Sequence, residues 1–470
     1  MGYSRDYEKW RERLNFYAFI AALLGEGDIY VPTEFYKPLF ISQVVKSWEK
    51  AVNSILTGKA PKQLGIFVFV PFCKSKCIFC PFFSLPLSSR SQLNNFTASL
   101  LKEMSLFKGI FKGVQFNTVW FGGGTPSILE ESHFKKIFEA IFKLFSLSKD
   151  CQITVECSPS SLTSGKLKLF KSLGVNRITI GLQSLNKRVL MENNRLFQDI
   201  KYSLELLQLA KKIGIGVVNV DLMCGLPGDN FESFKDGLKR IIAMRPDLIQ
   251  INPFFPSYET NFFKFGGEYP PTDILRRTQE AKTGIGFLEK AGYRKVDGAN
   301  LGYARIPGVA NQQEIDKVEY NSSVLSFGPA SHAHAFAQLQ YTNQYTGRNW
   351  NQKLLPKYLG IKLNLQEEMR RFIIVHLRKP ILRAFFRQLF GRDIVESFFK
   401  ELREIQGFDL FYVDNQKLLF KIRTRQEQLI LAKHFFNSNY LYNLQKIRKV
   451  RFRKDKNYFS ELNKLIDVTI

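Results

Sequence analysis

The chain has 470 residues, of which 45% are hydrophobic and 23% charged, a balance typical of a folded globular protein and not of a disordered one. A net charge of +26, from 68 Lys and Arg against 42 Asp and Glu residues, admits nucleic acid, an anionic membrane face or a polyanionic small molecule as partner. A lysine-rich composition with solvated faces explains the charge equally well. Six cysteines in so long a chain exclude a disulfide scaffold.

The N-terminal residues carry no secretion signal, because no basic segment is followed by an apolar core and a cleavage site. The apolar stretch 16–24 is shorter than the roughly 20 residues that a membrane-spanning helix needs. We therefore predict a cytoplasmic protein without a transmembrane segment. In that reducing compartment, clustered cysteines bind metal more often than they form disulfides.

Residues 1–62 are predicted to be a helical N-terminal extension, with one helix over residues 41–56. Six apolar runs of strand length follow, and they are apolar on both faces, as buried parallel strands are: 66–70, 117–121, 152–156, 177–181, 217–221 and 247–251. Stretches with helical periodicity separate them at 95–107, 131–145, 200–213 and 231–244. The alternation predicts a parallel sheet over residues 63–300, as a partial (βα)6 barrel or a doubly wound sheet, with the ligand site at the carboxyl ends of the strands.

The pattern changes after residue 300. A stretch rich in Gly and polar residues runs from 298 to 349, and we assign residues 301–360 to a segment that closes the barrel on the substrate side. Within residues 361–430, a mostly helical stretch (364–404) and two strands (408–413 and 417–422) around the turn Asp414-Asn415 favour a small winged-helix-like domain. Residues 431–470 form a basic tail. No aromatic-basic recognition pattern stands out there, so a nucleic-acid partner is not expected.

Three cysteines with the spacing C-x3-C-x2-C follow the first predicted strand: Cys73, Cys77 and Cys80. Three thiolates on one loop can bind three irons of a [4Fe–4S] cluster and leave the fourth iron open. Structural zinc is the alternative, but no fourth Cys or His lies nearby in sequence. Lys74 and Lys76 argue against an apolar loop with cysteines at chance spacing. The other cysteines are isolated and predicted to be core thiols: Cys151, Cys157 and Cys224.

Glycine and polar residues follow the next strands. The second strand ends in Gly122-Gly123-Gly124-Thr125, and consecutive glycines let a ligand approach the backbone closely. Polar residues at or just beyond the later strands are Glu156, Gln183, Arg195 and Asp221. We expect them to converge on one site with the cysteine loop, because the carboxyl ends of parallel strands meet at one edge. For any one of them, a capping or turn role is an equally good explanation.

These motifs together resemble the radical S-adenosylmethionine superfamily. The lead-in Pro71-Phe72-Cys73, the Gly-Gly-Gly-Thr-Pro-Ser sequence at 122–127 and Asp-Leu-Met-Cys-Gly-Leu-Pro-Gly at 221–228 are similar to the subfamily of the oxygen-independent coproporphyrinogen oxidase, which includes heme chaperones and heme-degrading radical methyltransferases. The resemblance covers residues 62–335 and the C-terminal region. It implies an α/β fold: a partial (βα)6 radical SAM barrel with a small C-terminal domain.

The resemblance also implies ligands. Cys73, Cys77 and Cys80 would hold a [4Fe–4S] cluster whose open iron binds S-adenosylmethionine, of which one or two molecules would bind. A reduced flavodoxin or a ferredoxin-like protein would supply the electron that cleaves this cofactor to a 5′-deoxyadenosyl radical. The resemblance implies that the methionyl part of the cofactor contacts Gly123, Gly124 and Thr125. Its carboxylate and ribose would be held by Glu156, Gln183, Arg195 and Asp221. Its adenine would lie near Phe79.

Three phenylalanines depart from the subfamily pattern. Phe82 stands where the oxidases carry a fourth cysteine, which favours the chaperone-like and methyltransferase branches. Phe67 and Phe69 stand in place of Tyr and His, so a cofactor-side hydrogen bond and a proton donor are lost. The substrate site is therefore either diverged or relaxed.

The leading hypothesis is a radical SAM enzyme, an oxidoreductase or methyltransferase, that acts on a coproporphyrinogen- or heme-like tetrapyrrole. The alternatives are a heme-binding chaperone of the same subfamily and a radical C-methyltransferase acting on another conjugated substrate. His332 and His334 are candidates for binding heme iron or for acting as an acid, and a role as packed loop residues is an equal alternative. The sequence assigns neither a residue that reacts with substrate nor an oligomeric state.

Overall fold

The computed structural model of the protein describes residues 37–254, 260–267, 271–296, 302–344, 356–423 and 425–436. Most of the predicted N-terminal extension, the apolar stretch 16–24 and residues 437–470 of the predicted basic tail lie outside this part. The described end of the extension holds a short strand, Lys37–Leu39, and a helix, Ile41–Leu56. This helix confirms the prediction for residues 41–56.

The strands and helices are numbered in chain order. The strands are β1 (Lys37–Leu39), β2 (Leu64–Val70), β3 (Phe72–Cys73), β4 (Leu85–Pro86), β5 (Phe116–Gly123), β6 (Leu147–Cys157), β7 (Arg177–Gln183), β8 (Val217–Cys224), β9 (Leu248–Pro253), β10 (Arg294–Lys295), β11 (Gly302–Ala304), β12 (Ser323–Phe327), β13 (His332–Ala335), β14 (Leu339–Gln344), β15 (Lys357–Lys362), β16 (Ile381–Leu382), β17 (Phe411–Val413) and β18 (Lys417–Phe420). The helices are α1 (Ile41–Leu56), α2 (Arg90–Ser105), α3 (Glu131–Leu144), α4 (Ser164–Ser172), α5 (Lys187–Glu192), α6 (Ile200–Lys212), α7 (Phe231–Met244), α8 (Asn261–Lys264), α9 (Pro271–Lys290), α10 (Gln312–Glu319), α11 (Leu365–Val375), α12 (Arg383–Phe390), α13 (Ile394–Ser397), α14 (Phe399–Ile405) and α15 (Arg425–His434).

One large sheet forms the centre of the fold, with the strand order β1-β15-β14-β13-β12-β2-β5-β6-β7-β8-β9-β11-β10. From β12 to β9 all neighbouring strands are parallel. The six predicted strands are confirmed as β2 and β5–β9. These strands lie side by side in chain order, so the order nowhere reverses among them and the doubly wound alternative is wrong. The arrangement is the predicted partial (βα)6 barrel, with β12 as a further parallel strand beside β2.

Side chains alternate between the two faces of this sheet. On the outer face, Phe121 stacks on Phe138 of α3 with ring centroids 5.1 Å apart, and it contacts Phe134 at 5.9 Å. On the inner face, Trp120 contacts Phe67 at 6.1 Å. The outer face therefore packs against the apolar sides of the helices, while aromatic and polar residues line the interior.

Helix α10 fills the interior at the amino ends of β2 and β5. Gln313 Nε2 donates hydrogen bonds to Thr118 Oγ1 at 3.0 Å and to the carbonyl oxygen of Ile66 at 3.1 Å. Gly65 makes room for this side chain, because a Cβ at that position would lie 2.7 Å from Gln313 Nε2. Polar side chains thus close the end of the barrel opposite to the cysteine loop.

Residues 301–360 contain more strand than the sequence predicts. Strands β13, β14 and β15 continue the large sheet in antiparallel order beyond β12, and β1 pairs with the outer side of β15. Four to six residues, several of them polar, are too few to show a clear alternation of apolar and polar positions. Pairing with neighbouring strands stabilises these segments, and a single-segment pattern does not detect such pairing.

The C-terminal region is helical and carries a three-stranded sheet in the order β16-β18-β17. The predicted hairpin is confirmed as β17 and β18, although both strands are shorter than predicted. Its turn is held by Asp414, whose Oδ1 accepts hydrogen bonds from the N–H groups of Gln416 and Lys417, both at 2.8 Å. The predicted helical stretch 364–404 consists of α11–α14 and is interrupted by β16.

A buried carboxyl group joins helix α2 to the antiparallel strands β14 and β15 of the large sheet. Glu103 accepts hydrogen bonds from the Gly328 N–H and from Asn343 Nδ2, both at 2.9 Å, and from the Tyr358 hydroxyl at 3.0 Å. Burial raises the pKa of Glu103 to about 7, although these three donors oppose the increase. The carboxyl group therefore satisfies three buried donors from three separate segments.

We predict that Glu103→Ala lowers the free energy of unfolding by about 3 kcal/mol, because three buried donors lose their acceptor and a cavity remains. The midpoint of chemical unfolding measures this change. Glu139→Ala, at an exposed position on α3, is the matched control and should stay within about 0.5 kcal/mol of the wild type. Equal midpoints for the two variants would contradict the prediction.

Candidate functional site

The cysteine loop follows β2 and returns along β4. Cys73, Cys77 and Cys80 are free, partly buried thiols on this loop. Cys73 Sγ lies 3.2 Å from Thr125 Oγ1, and the Cys80 N–H donates to the carbonyl oxygen of Cys77 at 3.3 Å. The loop after the second strand of the barrel therefore contacts the loop after the first.

The electrostatics of the three thiols fit a metal cluster. Burial raises the pKa of Cys80 to about 11 and also raises the pKa of Cys73, and the Cys77 thiolate adds to both effects. Three thiolates in one place therefore need a positive charge, which bound iron ions would supply. Among the described residues, no three His, Cys, Asp or Glu side chains are arranged to hold a single metal ion. Three thiolate donors on one loop are the ligand set that a [4Fe–4S] cluster with one open iron uses.

Arg195 connects the cysteine loop to the end of β7. Its Nη1 donates to Cys77 Sγ at 3.4 Å, and its Nη2 donates to the carbonyl oxygen of Gly181 at 2.6 Å. Gln198 Oε1 accepts from Nε at 3.0 Å and from Nη2 at 2.7 Å. The guanidinium that the resemblance assigns to the cofactor thus already contacts a cluster thiol and two protein acceptors.

The glycines after β5 allow close contact with β2. Gly123 has a φ of 105°, and a Cβ there would lie 2.8 Å from the ring of Phe69. Gly124 donates its N–H to the carbonyl oxygen of Val70 at 2.8 Å, and a Cβ there would lie 2.9 Å from the carbonyl oxygen of Phe72. Packing against the first strand therefore requires these glycines, and the Gly124 N–H is already in use.

Two carboxyl groups lie in the barrel interior near the same edge. Glu156 Oε1 accepts from Trp120 Nε1 at 3.0 Å, and Asp221 Oδ1 accepts from Asn219 Nδ2 at 3.0 Å. Burial, chiefly, raises the pKa of Glu156 to about 7 and that of Asp221 to about 6, and the Asp221 charge raises the pKa of Glu156 further. Each carboxyl group therefore changes its charge close to neutral pH.

Gln183 and Phe79 complete the set of predicted residues. Gln183 has a φ of 64°, and its Oε1 is buried without a hydrogen-bond partner in the described part of the chain. A buried amide oxygen without a donor fits a ligand group that is absent here. Phe79 is partly buried and packs against the apolar cluster of Val189, Leu226 and Phe254.

The structure adds interior residues that the sequence argument missed. Arg177 begins β7 and Asn219 lies in the middle of β8, and their side chains are 2% and 1% exposed. Trp120 lies on β5 and donates to Glu156. The signal was available: each stands two or four residues before a predicted ligand or glycine on the same strand, and therefore on the same face.

The histidines of residues 327–334 do not behave alike. His334 is buried, and its Nε2 lies 2.9 Å from Glu368 Oε1 while its Nδ1 lies 3.0 Å from the carbonyl oxygen of Ser322. Both ring nitrogens are therefore occupied, so the hypothesis that His334 binds heme iron is wrong and its alternative as a packed residue is confirmed. His332 is exposed on β13. The predicted core thiols are confirmed, since all three are buried: Cys151, Cys157 and Cys224.

Within the described residues, the structure contains no helix with the length and hydropathy needed to cross a bilayer.

Comparison with known proteins identifies a matching family model and several relatives. The model of the radical SAM superfamily matches residues 67–241. The heme chaperone HemW of Buchnera aphidicola subsp. Acyrthosiphon pisum is 26% identical over 355 residues, which are 73% of this chain and 91% of that protein. The oxygen-independent coproporphyrinogen III oxidase of Escherichia coli K12 is 27% identical over 249 residues, which are 52% of this chain and 54% of that protein.

A solved structure shares the fold of this chain. The solved structure of coproporphyrinogen III oxidase (HemN) from Escherichia coli superposes with a TM-score of 0.66 at 21% identity and covers 88% of this chain and 98% of that chain. Its similarity shows that the two proteins share a fold. Residues 67–241 therefore match the radical SAM domain, whose family uses a [4Fe–4S] cluster and S-adenosylmethionine, and the relatives of the chain include HemW heme chaperones and oxygen-independent coproporphyrinogen III oxidases.

Proposed function

We propose that this protein binds a [4Fe–4S] cluster on Cys73, Cys77 and Cys80 and cleaves S-adenosylmethionine in order to act on a tetrapyrrole. When bound and reduced, the cluster supplies the electron that converts the cofactor to methionine and a 5′-deoxyadenosyl radical. The observation that supports the proposal is that the cysteine loop contacts Thr125 and Arg195 from the loops after two other strands, while Glu156 and Asp221 lie near the carboxyl ends of β6 and β8 in the same parallel sheet.

The chain's own residues have separable tasks in this proposal. Arg195 holds the Cys77 thiolate by a charged hydrogen bond. Thr125, next to Cys73, and the orphaned Oε1 of Gln183 would contact the methionyl and ribose groups of the cofactor. The carboxylates of Glu156 and Asp221 would accept hydrogen bonds from its amine and hydroxyl groups. No side chain is assigned as the group that reacts with substrate.

The aromatic side of the barrel interior suits a conjugated substrate, while the two carboxyl groups on later strands are left to the cofactor. On β2, the rings of Phe67 and Phe69 lie 6.4 Å apart, and Phe69 contacts Phe83 of the cysteine loop at 6.4 Å. Glu156 and Asp221 lie on the strands that follow. A flat conjugated macrocycle would stack on the aromatic side.

An outside electron donor, such as a reduced flavodoxin or a ferredoxin-like protein, is part of the proposal. Each cluster cysteine is partly exposed, so a carrier can approach this loop from solvent. We also expect a reducing cytoplasmic location, because three free thiols have to stay reduced until iron binds.

A heme-binding chaperone is a second candidate. The HemW relative matches over 91% of its length, against 54% for the coproporphyrinogen oxidase. Phe67, Phe69 and Phe82 remove polar groups near the site, which a carrier tolerates more readily than an enzyme that transfers protons.

Removal of one cluster thiol should abolish the cluster. After anaerobic reconstitution, we expect the wild type to show broad visible absorbance from sulfur-to-iron charge transfer, and Cys77→Ala to lose most of it. Cys151→Ala removes a buried thiol outside the loop and should reconstitute like the wild type. Equal iron content in Cys77→Ala and the wild type would refute the assignment of the ligands.

Affinity for S-adenosylmethionine should fall in acid. The pKa of Asp221 is about 6 and that of Glu156 about 7, so both acceptors lose their charge between pH 8 and pH 5. Below the pKa of each carboxyl group, its protonation should lower the affinity of the oxidised, cluster-loaded protein for S-adenosylmethionine about tenfold per pH unit. Equilibrium dialysis measures this without turnover.

Asp221→Asn should lower this affinity at pH 8 and make its pH dependence less steep, because one titrating acceptor is removed. Asp247→Asn changes a buried carboxyl group just before β9, away from the site, and is the control. An affinity that stays constant from pH 5 to pH 8 in the wild type would rule out both carboxylates as cofactor acceptors.

The enzyme and the chaperone differ in their products. Under strong reductant with S-adenosylmethionine, the enzyme should release 5′-deoxyadenosine and change the mass of added coproporphyrinogen or heme, with a gain of one methylene unit for methyl transfer. A chaperone should bind one equivalent of heme and return it unchanged. Mass spectrometry of both fractions distinguishes these outcomes, with Cys77→Ala as the cluster-free control. If neither a modified product nor a bound tetrapyrrole is detected, both functions are excluded.

A further inference from the structure

Arg177 is a buried cation that none of the tasks above uses. It is the first residue of β7, and its side chain is 2% exposed inside the barrel. Its Nε and Nη1 atoms are buried and donate to no acceptor in the described part of the chain. Burying two guanidinium N–H donors without acceptors is costly, so nearby negative charges are needed to offset the charge of Arg177.

Two carboxyl groups supply these charges from the neighbouring strands. Asp221 of β8 and Glu156 of β6 both favour the protonated form of Arg177, and Arg177 lowers the pKa of both carboxyl groups. For Asp221, Arg177 is the largest influence that opposes burial. Arg177 thus acts through its electric field, which extends beyond hydrogen-bond distance in a medium of low polarity.

The other charged group that acts on this pair comes from helix α10. Glu314 raises the pKa of Glu156, and Lys317 Nζ lies 2.9 Å from Glu314 Oε1. With both carboxyl groups ionised, they and Arg177 carry one net negative charge. That sign suits a ligand with a cationic sulfonium group.

We propose that Arg177 is a positioning residue whose buried guanidinium, on the strand between those of Glu156 and Asp221, favours the ionised forms of both carboxyl groups, so that they can accept hydrogen bonds from S-adenosylmethionine over a wider pH range than burial alone would allow. This inference rests on the proposed function for the identity of the ligand. Its electrostatic part concerns the chain alone and is tested without any cofactor.

The first measurement is the pH dependence of S-adenosylmethionine affinity in the oxidised, cluster-loaded protein. Arg177→Gln should move the acid loss of affinity upward by about one pH unit, while affinity at pH 9 stays close to that of the wild type. Arg177→Lys keeps the charge and should restore the wild-type profile. A role in packing alone would lower affinity equally at every pH and would overturn the proposal.

Arg305→Gln is the matched control. Arg305 is a partly buried arginine whose Nε also lacks a partner in the described part of the chain, but its Nη2 lies 3.6 Å from Asp247 Oδ1, away from the site. This variant should leave the pH profile unchanged. If Arg177→Gln does not fold, Arg177→Met provides a second neutral side chain of similar length.

The second measurement needs no cofactor. Trp120 donates to Glu156, so the ¹⁹F resonance of 5-fluorotryptophan at this position reports the charge of Glu156. Trp120→Phe assigns the resonance among the four tryptophans. In an Asp221→Asn background, only Glu156 of the pair titrates, and adding Arg177→Gln should raise the midpoint by about one pH unit.

The two measurements separate the possible failures. An unchanged ¹⁹F midpoint on removal of Arg177 overturns the inference, whatever the cofactor does. A shifted midpoint in a protein that does not bind S-adenosylmethionine refutes the proposed function and leaves the electrostatic role of Arg177 in place.

Discussion

The barrel interior has to hold ionisable groups out of water, and the rest of the site depends on how it does so. Burial disfavours the charged forms of Glu156 and Asp221. Trp120 and Asn219 each supply one hydrogen bond, and Arg177 supplies a compensating charge from the next strand. These groups come from four neighbouring strands. The parallel register of β5–β8 brings these groups together. The electrostatics of the site therefore depend on how these strands pair.

The cysteine loop is organised by the protein as well as by a cluster. Ser75 Oγ donates to the carbonyl oxygen of Asn194, and Asn194 Nδ2 donates to that of Lys76, both at 2.8 Å. The Ile78 N–H donates to the carbonyl oxygen of Asn193 at 3.3 Å. Residues 193 and 194 thus fix the conformation of the middle of the cysteine loop through these hydrogen bonds. Because the loop is ordered by these contacts, cluster binding costs less conformational entropy than it would on a free segment.

Sequence reasoning predicted what local pattern encodes and missed what depends on distant partners. The strands β2 and β5–β9 are apolar on both faces and were found. The helix α4 was not, because its strongest start signal is one side-chain cap: Thr163 accepts from the Lys166 N–H. Strand β13 lacked a pattern of its own. At the site, ligand types follow from spacing, but the buried partner of His334 is Glu368, 34 residues away and outside any motif.

The glycines after β5 and the phenylalanines of β2 are complementary. A Cβ at Gly122 would lie 3.1 Å from the ring of Phe67, and at Gly123 a Cβ would lie 2.8 Å from that of Phe69. The two rings therefore occupy space that exists only because the facing strand has no side chains there. Replacing Phe67 or Phe69 by a smaller polar residue would open a cavity beside the glycines. The aromatic side of the interior is thus built by two strands together, because Gly122 and Gly123 on β5 leave room for the rings of Phe67 and Phe69 on β2.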